Sequence, residues 1–475
     1  MNCLWHSVTT ALESALPSGR CVYPFQPNFD DVHLATYASA LDAELRPKFH
    51  VLPQTRDEVT IFIKTIRNYV IKNNVKFAVV SGGCLTARGC SSIEQGIVLN
   101  LSQLKGIRIL SEDIVEIFVG EKWGDVYALL KSIGKMCVGA DDAGMGIGNG
   151  MSLDRGLSFI SPGEGVMCNN VKSCDVVLAS GEVIHTSDNA TPALFQALRG
   201  TGNNVGIVTS IRVRMFDHSQ RIYGRTVKYD YLGFVAQIPM LVSAMQSPDG
   251  LKGADVSMRF VVSRTSGLFG INYLKYDRQT EEKTPPQVLE PFIPISSECK
   301  LGPADLSDLI KGPNRTPGKR LAHMHTCVRP DNTILVEGVD TFIIRTMDLA
   351  WCEGHIFSYC LYPYYPSHLR NINTRRDQFS MGTEPFIMIV FRLEWENRDD
   401  DNNILAEFQD VLEHIEHYAN CRDVAVRFKN MSYSAHFQNP IASYSKYKRD
   451  CMKWSCSFRD PDDIFHWGVP GPWKL

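Results

Sequence analysis

The stretch Phe77-Ala78-Val79-Val80-Ser81-Gly82-Gly83-Cys84 joins an apolar, β-branched run to a pair of glycines. Such a run predicts a buried strand, and Gly-Gly predicts a tight turn at its end. Glycine also allows the positive φ angles and the close backbone approach that a loop around a diphosphate requires. A single glycine pair is more often an ordinary turn, so the interpretation depends on the blocks that follow it.

Further blocks of this character follow in order along the chain. They are Trp123–Tyr127, the glycine-dense stretch 144–156, Asp175–Val183 and Leu198–Thr209. Two glycine runs, from Gly144 to Gly150 and from Gly200 to Gly202, imitate a Rossmann fingerprint. Neither follows a strand, opens a helix and meets an acidic residue about 20 positions later, which excludes a nicotinamide dinucleotide site.

The order and spacing of these blocks resembles the berberine-bridge-enzyme-like FAD-linked oxidases of the vanillyl-alcohol-oxidase superfamily. The resemblance covers nearly the whole chain and implies an α+β, two-domain PCMH-type FAD-binding fold. It implies a flavin domain over 1–216 and a substrate domain over 217–425, in which an antiparallel sheet carries helices on one face. Residues 426–475 are then expected to return and complete the flavin domain.

Periodicity predicts the local structure within that frame. In the first half we expect an entry helix, a helix over 59–73, strands over 76–81, 96–101 and 114–120, and a helix over 123–133. In the second half we expect alternating strands over 257–262 and 386–391, with helices near 304–311 and 404–418.

The resemblance also implies the residues that meet the flavin. The predicted cofactor-binding positions are Ser81, Gly82, Gly83, Cys84, Leu85, Gly89, Gly150, Arg155, Gly156, Asn170, Gly206 and Val208. The resemblance implies that Tyr433 takes the role of the family's catalytic base, with His436 as a neighbouring base. A tyrosine in a β-rich tail is also often a packed amphipathic side chain, and His436 also suits a surface turn.

The chain departs from the family where the flavin is expected. Cys84 stands in the place of the histidine that bonds covalently to the flavin, and the second covalent anchor, a cysteine, falls near Asp141 or Asp142. Asp154-Arg155-Gly156 replaces three consecutive glycines, and Asn430 and Ser432 replace a tyrosine and an asparagine.

Three interpretations of these departures are open. In the first, FAD binds non-covalently and Arg88 or Arg155 contacts its diphosphate. In the second, the flavin cleft is empty and an Asp154–Arg155 pair helps to fill it. In the third, Cys84 itself carries the flavin as a thioether.

Other side chains suggest weaker hypotheses. His323-Met324-His325 places two imidazoles on one strand face, but a third metal ligand is missing, so hydrogen-bonded strand histidines are the better interpretation and no metal site is predicted. The aromatic group Tyr359, Tyr362, Tyr364 and Tyr365 is expected to wall an apolar substrate pocket. Arg88, between Cys84 and Cys90, is expected to lower a thiol pKa.

Composition limits the class of partner. A net charge of -3 over 475 residues gives no bias toward nucleic acid, and no apolar run approaches a membrane span. The N-terminus has no basic region followed by an apolar core, so we expect a cytoplasmic protein. The 14 cysteines form no CxxC pair. The oligomeric state is left open.

The predicted function is oxidation of a small, largely apolar metabolite by non-covalent FAD in a natural-product pathway. The alternative is a redox-neutral cyclase or isomerase, resembling a pericyclase, on the same scaffold with a degraded or empty flavin site. A third class is a non-catalytic binder of a pathway intermediate. The altered positions at Cys84, Asp154-Arg155, Asn430 and Ser432 favour the last two, whereas Tyr433 and the preserved blocks favour the first.

Overall fold

The computed structural model describes residues 2–148, 157–247, 250–277, 284–293, 298–310, 318–350, 352–365 and 384–475. The strands in these ranges are β1 Cys21–Val22, β2 Phe49–Val51, β3 Phe77–Val80, β4 Ile97–Asn100, β5 Ile107–Ile109, β6 Ile114–Phe118, β7 Lys135–Cys137, β8 Val171–Val177, β9 Val183–Ser187, β10 Ile207–Asp217, β11 Arg221–Tyr229, β12 Ala254–Ser263, β13 Gly267–Tyr276, β14 Glu298–Cys299, β15 Gly302–Asp305, β16 Arg320–Val328, β17 Ile356–Tyr364, β18 Phe386–Trp395 and β19 Ala425–Val426.

The α-helices are α1 Asn2–Ala15, α2 Phe29–Thr36, α3 Ala40–Ala43, α4 Arg56–Asn73, α5 Trp123–Ser132, α6 Ser161–Glu164, α7 Met167–Asn170, α8 Pro192–Leu198, α9 Tyr231–Gln246, α10 Leu306–Leu309, α11 Asn332–Ala350, α12 Asp401–Cys421, α13 Pro440–Ser443 and α14 Lys446–Arg459. A 3-10 turn spans Met431–Tyr433.

The first half of the chain forms two sheets. The small sheet has the order β1-β2-β4-β3, with parallel pairing of β4 to both β2 and β3. Helix α4 packs beside it because Val59, Ile63 and Ile66 recur on one buried face. The middle sheet has the order β5-β6-β10-β8-β9 and is antiparallel, with β10 at its centre.

The second half forms the large sheet, in the order β14-β11-β13-β12-β17-β18-β16-β19, with β15 pairing to β11. Helices α9, α11 and α12 cover one of its faces, where Phe260, Tyr359 and Phe391 are buried. Alternate residues point the other way, and Cys360 and Val390 join the core of the first half of the chain. One face of the large sheet therefore looks toward the two smaller sheets, and we call this the inner face.

The C-terminal segment packs back onto the first half of the chain. The Tyr444 hydroxyl donates to the Gly200 carbonyl at 2.9 Å, and the Asn204 amide donates to the Trp473 carbonyl at 2.9 Å. The buried ammonium of Lys448 donates to the carbonyls of Gln196 and Arg199 at the end of α8. These bonds hold α14 against α8 and so fix the tail.

The predicted α+β fold with an antiparallel second sheet is confirmed. The predicted helices and strands between 59 and 133 are present, with small differences at their ends. The helix predicted near 304–311 is wrong in extent, because Gly302–Asp305 pairs with β11 and leaves only the turn Leu306–Leu309 helical. Within the described ranges, no helix combines the length and apolar character needed to cross a bilayer.

Candidate active site

A cleft opens where β3 runs into its glycine loop. Its described lining comes from that loop, the segment before residue 149, the start of β10 with the turn before it, and the C-terminal turn. The lining residues are Val79, Val80, Ser81, Gly82, Gly83, Cys84, Leu85, Cys90, Ser91, Leu101, Val119, Met145, Gly146, Gly148, Gly202, Asn203, Val208 and Met431. We call this space the cleft.

Two loops cross at the cleft with only backbone between them. A Cβ built on Gly82 would lie 2.7 Å from the Gly146 Cα, and one built on Gly146 would lie 2.5 Å from the Gly82 Cα. A Cβ on Gly148 would meet Ser81 at 3.0 Å. Because both partners in the first contact are backbone, neither can move aside for a side chain.

Gly83 is fixed for a different reason. Its φ is +57°, and a Cβ there would overlap the carbonyl oxygen of Thr36. The Gly83 carbonyl in turn accepts a hydrogen bond from the Ala38 N–H at 2.9 Å. The Ser81 hydroxyl donates a hydrogen bond to the carbonyl of Val119, the residue that follows β6, and this bond connects the start of the loop to the middle sheet. The loop is therefore held from both ends.

The structure brings together half of the predicted cofactor-binding positions. Those that line the cleft are Ser81, Gly82, Gly83, Cys84, Leu85 and Val208. Gly150, Arg155 and Gly156, together with Asp154, lie outside the described residues. The cleft also contains residues that the sequence reasoning did not name, above all Asn203 and Met431. Their signal, a polar or sulfur side chain beside a turn, is weak in a single sequence.

Three predicted positions have other roles. Gly206 is buried against β8, since a Cβ there would meet the Val176 side chain at 2.6 Å. Asn170 donates to the carbonyls of Glu164 and Val166 at 3.0 and 3.2 Å and accepts from Arg214. The Gly89 N–H donates to the buried Asp42 carboxylate at 2.7 Å. These contacts place the three residues in the framework outside the cleft lining.

Asp42 anchors the far end of the glycine loop. Its carboxylate accepts from the Gly89 N–H and, at 3.3 Å, from the Ser91 N–H. Burial raises the Asp42 pKa to about 6, although both N–H bonds act in the opposite direction. The loop from Gly82 to Ser91 thus returns to α3.

The two cysteines of the loop have different surroundings. Cys84 lines the cleft, and its thiol donates to the Gly82 carbonyl at 3.2 Å. Burial raises the pKa of Cys90 well above its usual range, so the prediction that Arg88 lowers a neighbouring thiol pKa is wrong for Cys90. The reason is that the Arg88 side chain is exposed and lines a separate cavity.

Beside the cleft, the inner face of the large sheet carries a cluster of polar and aromatic side chains. Strand register places Arg259 opposite Cys360 and places Arg392 opposite both Ser358 and His323. The Tyr433 ring lies over this face, stacked on Tyr362 at 5.9 Å between ring centres. It also meets the His323 ring edge to face at 5.5 Å.

Tyr433 connects the cleft to the inner face. It ends the 3-10 turn whose first residue, Met431, lines the cleft. Burial raises the Tyr433 pKa to about 12, with Asp141 adding to the rise and Arg392 and Arg259 opposing it. At neutral pH the hydroxyl is therefore a proton donor that two nearby guanidiniums make easier to ionise.

His325 holds the Tyr433 turn in place. Its Nε2 accepts from the Asn430 N–H at 2.8 Å, so its Nδ1–H donates to the Tyr433 carbonyl at 3.2 Å. Burial and the nearby Lys429 lower the His325 pKa well below its usual range. The Thr86 hydroxyl accepts from the His323 backbone N–H at 3.1 Å and lies 3.2 Å from the His323 Nδ1, and burial lowers the His323 pKa to about 3. Both histidines are hydrogen-bonded strand residues, as expected.

His436 does not join Tyr433. Its exposed side chain lines a separate cavity of about 680 Å³, together with Arg88, Asp401 and one side of His323. Its ring contacts Phe437. The turn after Tyr433 directs the two side chains to different spaces, so proximity in the sequence was misleading here.

The aromatic group of β17 divides between the two faces of the large sheet. Tyr362 and Tyr364 point to the inner face, whereas Tyr359 is buried under the helices and donates to the Leu335 carbonyl at 3.3 Å. Tyr365 is buried with the helix-covered core. Successive side chains of a strand point to opposite faces, so only two of the four tyrosines expected to wall the substrate pocket lie on the inner face.

A lysine joins the two halves of the site. The Lys275 ammonium lies 2.5 Å from the Asp141 carboxylate and 3.5 Å from that of Asp255. Asp141 belongs to the segment that leads into the cleft, whereas Lys275 and Asp255 belong to the inner face. Burial raises the Asp255 pKa to about 7, which Lys275 counteracts. Asp141, near the expected second covalent anchor, is therefore occupied by an ion pair.

Comparison with known proteins identifies the class. A model described as an FAD binding domain matches residues 47–187. The chain is 28% identical over 434 residues to the FAD-dependent monooxygenase tpcD of Cochliobolus heterostrophus, covering 87% of this chain and 82% of that protein. It is 29% identical over 465 residues to the FAD-dependent monooxygenase FUP4 of Fusarium proliferatum, covering 92% and 87%.

Among solved structures, berberine bridge enzyme superposes with a TM-score of 0.76 at 13% identity, covering 99% of this chain and 100% of that chain. This likeness shows the fold. The protein is an FAD-dependent oxidoreductase. The fold that the resemblance implied, that of the berberine-bridge-enzyme-like oxidases, is confirmed over nearly the whole chain.

We expect Gly146→Ala to damage the cofactor site. The new Cβ meets the Gly82 backbone, so the loops must separate, which costs about 1–3 kcal/mol of unfolding free energy. The purified variant should melt at a lower temperature and carry less FAD per protein in its absorption spectrum. Gly163→Ala is the matched control, because a Cβ at Gly163 meets nothing within 4 Å. Equal melting temperatures and equal FAD content in both variants would contradict the close contact between Gly82 and Gly146.

We expect His325→Gln to reduce the loss of stability in acid. The folded pKa of His325 lies below the value in the unfolded chain, so neutral His325 favours folding above about pH 6.5. As the pH falls below that value, the free energy of unfolding decreases with a slope of up to about 1.4 kcal/mol per pH unit. Gln does not titrate but offers both an acceptor and a donor.

The measurement is the denaturant midpoint of each protein between pH 7 and pH 4. The slope of the variant should be shallower than that of the wild type, while the exposed His6→Gln serves as the control and keeps the wild-type slope. Parallel curves for wild type and His325→Gln would show that His325 titrates normally.

Proposed function

We propose that this enzyme holds FAD non-covalently in the cleft and oxidises a small metabolite that lies between the flavin and the inner face of the large sheet. The observation that carries the proposal is the position of Tyr433. Its turn begins in the cleft at Met431, and its ring lies on Tyr362 of the inner face. A substrate beside Tyr433 is therefore next to both the cleft and the inner face.

The cleft suits a flavin dinucleotide. The glycine crossing at Gly82 and Gly146 leaves backbone, not side chains, at the surface where a diphosphate approaches. Val80, Leu101, Val119 and Val208 add apolar surface of the kind that an isoalloxazine ring needs. Bound flavin supplies a two-electron acceptor for a hydride from a substrate carbon.

Three observations support non-covalent attachment. None of the described residues that line the cleft is a histidine. The Cys84 thiol is used as a hydrogen-bond donor to the Gly82 carbonyl. Asp141 stands near the expected cysteine anchor and is paired with Lys275. Arg88 points to the separate cavity, so it does not support the suggested contact with the diphosphate.

Tyr433 is the residue that we assign to proton transfer. Its side chain hydrogen-bonds a hydroxyl of the substrate and, as the phenolate, takes the proton from that oxygen while a hydride leaves the neighbouring carbon. Arg259 and Arg392 lower the cost of the phenolate. With a pKa of about 12, only a small fraction of Tyr433 is ionised at neutral pH, so the rate should rise with pH through the neutral and alkaline range. His436 is assigned no role in this step.

The wider setting is part of the same proposal. The fungal relatives named above support work in a natural-product pathway.

We also propose the division into a flavin domain over 1–216, a substrate domain over 217–425 and a returning segment over 426–475, which the contacts of α14 with α8 support. Exposed thiols at Cys3, Cys299, Cys352 and Cys421 suit a reducing cytoplasm.

The first test is the state of the flavin. The freshly purified protein should show the visible absorption bands of oxidised flavin, and acid precipitation should move those bands to the supernatant. Cys84→Ser should retain FAD with unchanged stoichiometry, because the thiol forms no bond to it. Flavin that stays in the wild-type pellet but leaves the Cys84→Ser pellet would establish a thioether instead, and a protein that does not bind added FAD would contradict the proposal.

The second test is Tyr433→Phe. Loss of the proton acceptor should lower the rate of anaerobic flavin bleaching by roughly 100-fold or more, with a substrate found by screening small hydroxylated compounds. The FAD content should not change, and the rise of rate with pH should disappear. His436→Gln is the control and should bleach at the wild-type rate. If Tyr433→Phe retains the rate and the pH dependence, another group takes the proton.

A further inference from the structure

One arginine of the inner face has an unusual position. Arg259 lies in the middle of β12, directly opposite Cys360 of β17. Its guanidinium sits 5.2 Å from the centre of the Tyr273 ring, and Tyr362 lies beside it. It therefore projects into the same space as Tyr433, and both it and Arg392 act on the Tyr433 pKa.

Arg259 also differs from its neighbours in charge balance. The other arginines in this part of the sheet hold carboxylates: Arg392 pairs with Glu394 at 2.8 Å, and Arg320 pairs with Glu44 and Asp401. Arg259 makes no ion pair with any carboxylate of the described residues, and its Nε is buried with no hydrogen-bond partner there. The groups around it are a thiol and phenols.

An arginine stays charged at all relevant pH values, and a buried charge without a counter-ion is costly. A positive charge kept in the substrate space is consistent with an anion that arrives with the substrate. The fork of N–H groups on a guanidinium suits an anionic oxygen, and a carboxylate best of all. The nearby rings of Tyr273, Tyr362 and Tyr433 suit an aromatic ring beside that oxygen.

We propose that Arg259 is an anion-binding residue of the substrate site, and that the substrate is an aromatic compound with an acidic oxygen, a carboxylate or a phenolate. This rests on the proposed function, since it places the substrate beside Tyr433. It narrows the expected largely apolar metabolite to one with a single charged end. The charge also orients the ring, because the anion is held at Arg259 while the oxidised carbon faces the cleft.

The test uses the FAD-containing protein and simple probes. Benzoate supplies a carboxylate, benzamide is its neutral counterpart of similar shape, and 4-nitrophenol is titrated above and below its own ionisation. Binding is measured by isothermal titration and by the change in the flavin spectrum. We expect benzoate to bind about ten-fold or more tightly than benzamide, a difference that corresponds to one charge-assisted contact. If the natural anion is a phenolate, ionised 4-nitrophenol should bind more tightly than benzoate.

Three variants locate the effect. Arg259→Gln should remove the preference for anions, so that benzoate and benzamide bind within about two-fold of each other. Arg259→Lys keeps the charge and loses the fork, so it should retain a smaller preference and guards against a folding failure of the first variant. Arg264→Gln, at an exposed position in the turn after the same strand, should behave as the wild type.

The outcomes separate the two proposals. A protein that binds FAD but shows no preference for either anion over its neutral form overturns the role of Arg259 alone. Wild-type anion preference in Arg259→Gln, or in Arg259→Lys where the first variant does not fold, also overturns it. A protein that cannot bind FAD overturns the proposed function first.

Discussion

The contact between Gly82 and Gly146 is the constraint on which the site depends. At this point two loops touch through backbone alone, since a Cβ on either glycine would lie within 2.7 Å of the other Cα. The crossing sets how close β3 comes to the segment before residue 149, and so sets the width of the cleft. Ser81, Gly83 and the Asp42 carboxylate then hold the loop on both sides of it.

The position of the large sheet relative to the cleft depends on two polar connections. Lys275 bridges Asp141 at the cleft and Asp255 on the inner face. His325 binds the turn that ends at Tyr433. A buried ion pair adds little net stability, because desolvation offsets the attraction, but removal of one partner is costly. The value of such connections here is geometric: they fix which residues of the inner face meet the cofactor.

The sequence was informative where a local pattern determines the structure. The apolar run followed by Gly82-Gly83 predicted the strand and its loop, whereas the lining residues and the sheet with helices on one face were implied by the family resemblance. The framework contacts of Gly206 and Asn170 could not be predicted, because a glycine or a buried amide shows that backbone or polar groups are close, not which ones. The sequence could not show that the two residues of turn between Tyr433 and His436 direct their side chains to different spaces. The role of Arg259 was not visible in the sequence because Cys360 and Tyr362, two of its neighbours, lie on β17, about a hundred residues away.

The most direct measurement is a crystal structure of the protein purified with its cofactor. The account predicts density for FAD in the cleft, with the diphosphate beside Gly82 and Gly146 and the ring system reaching toward Met431 and Tyr433. That density should stop short of the Cys84 Sγ. A cleft without flavin density, or density that continues unbroken to the Cys84 sulfur, would contradict it.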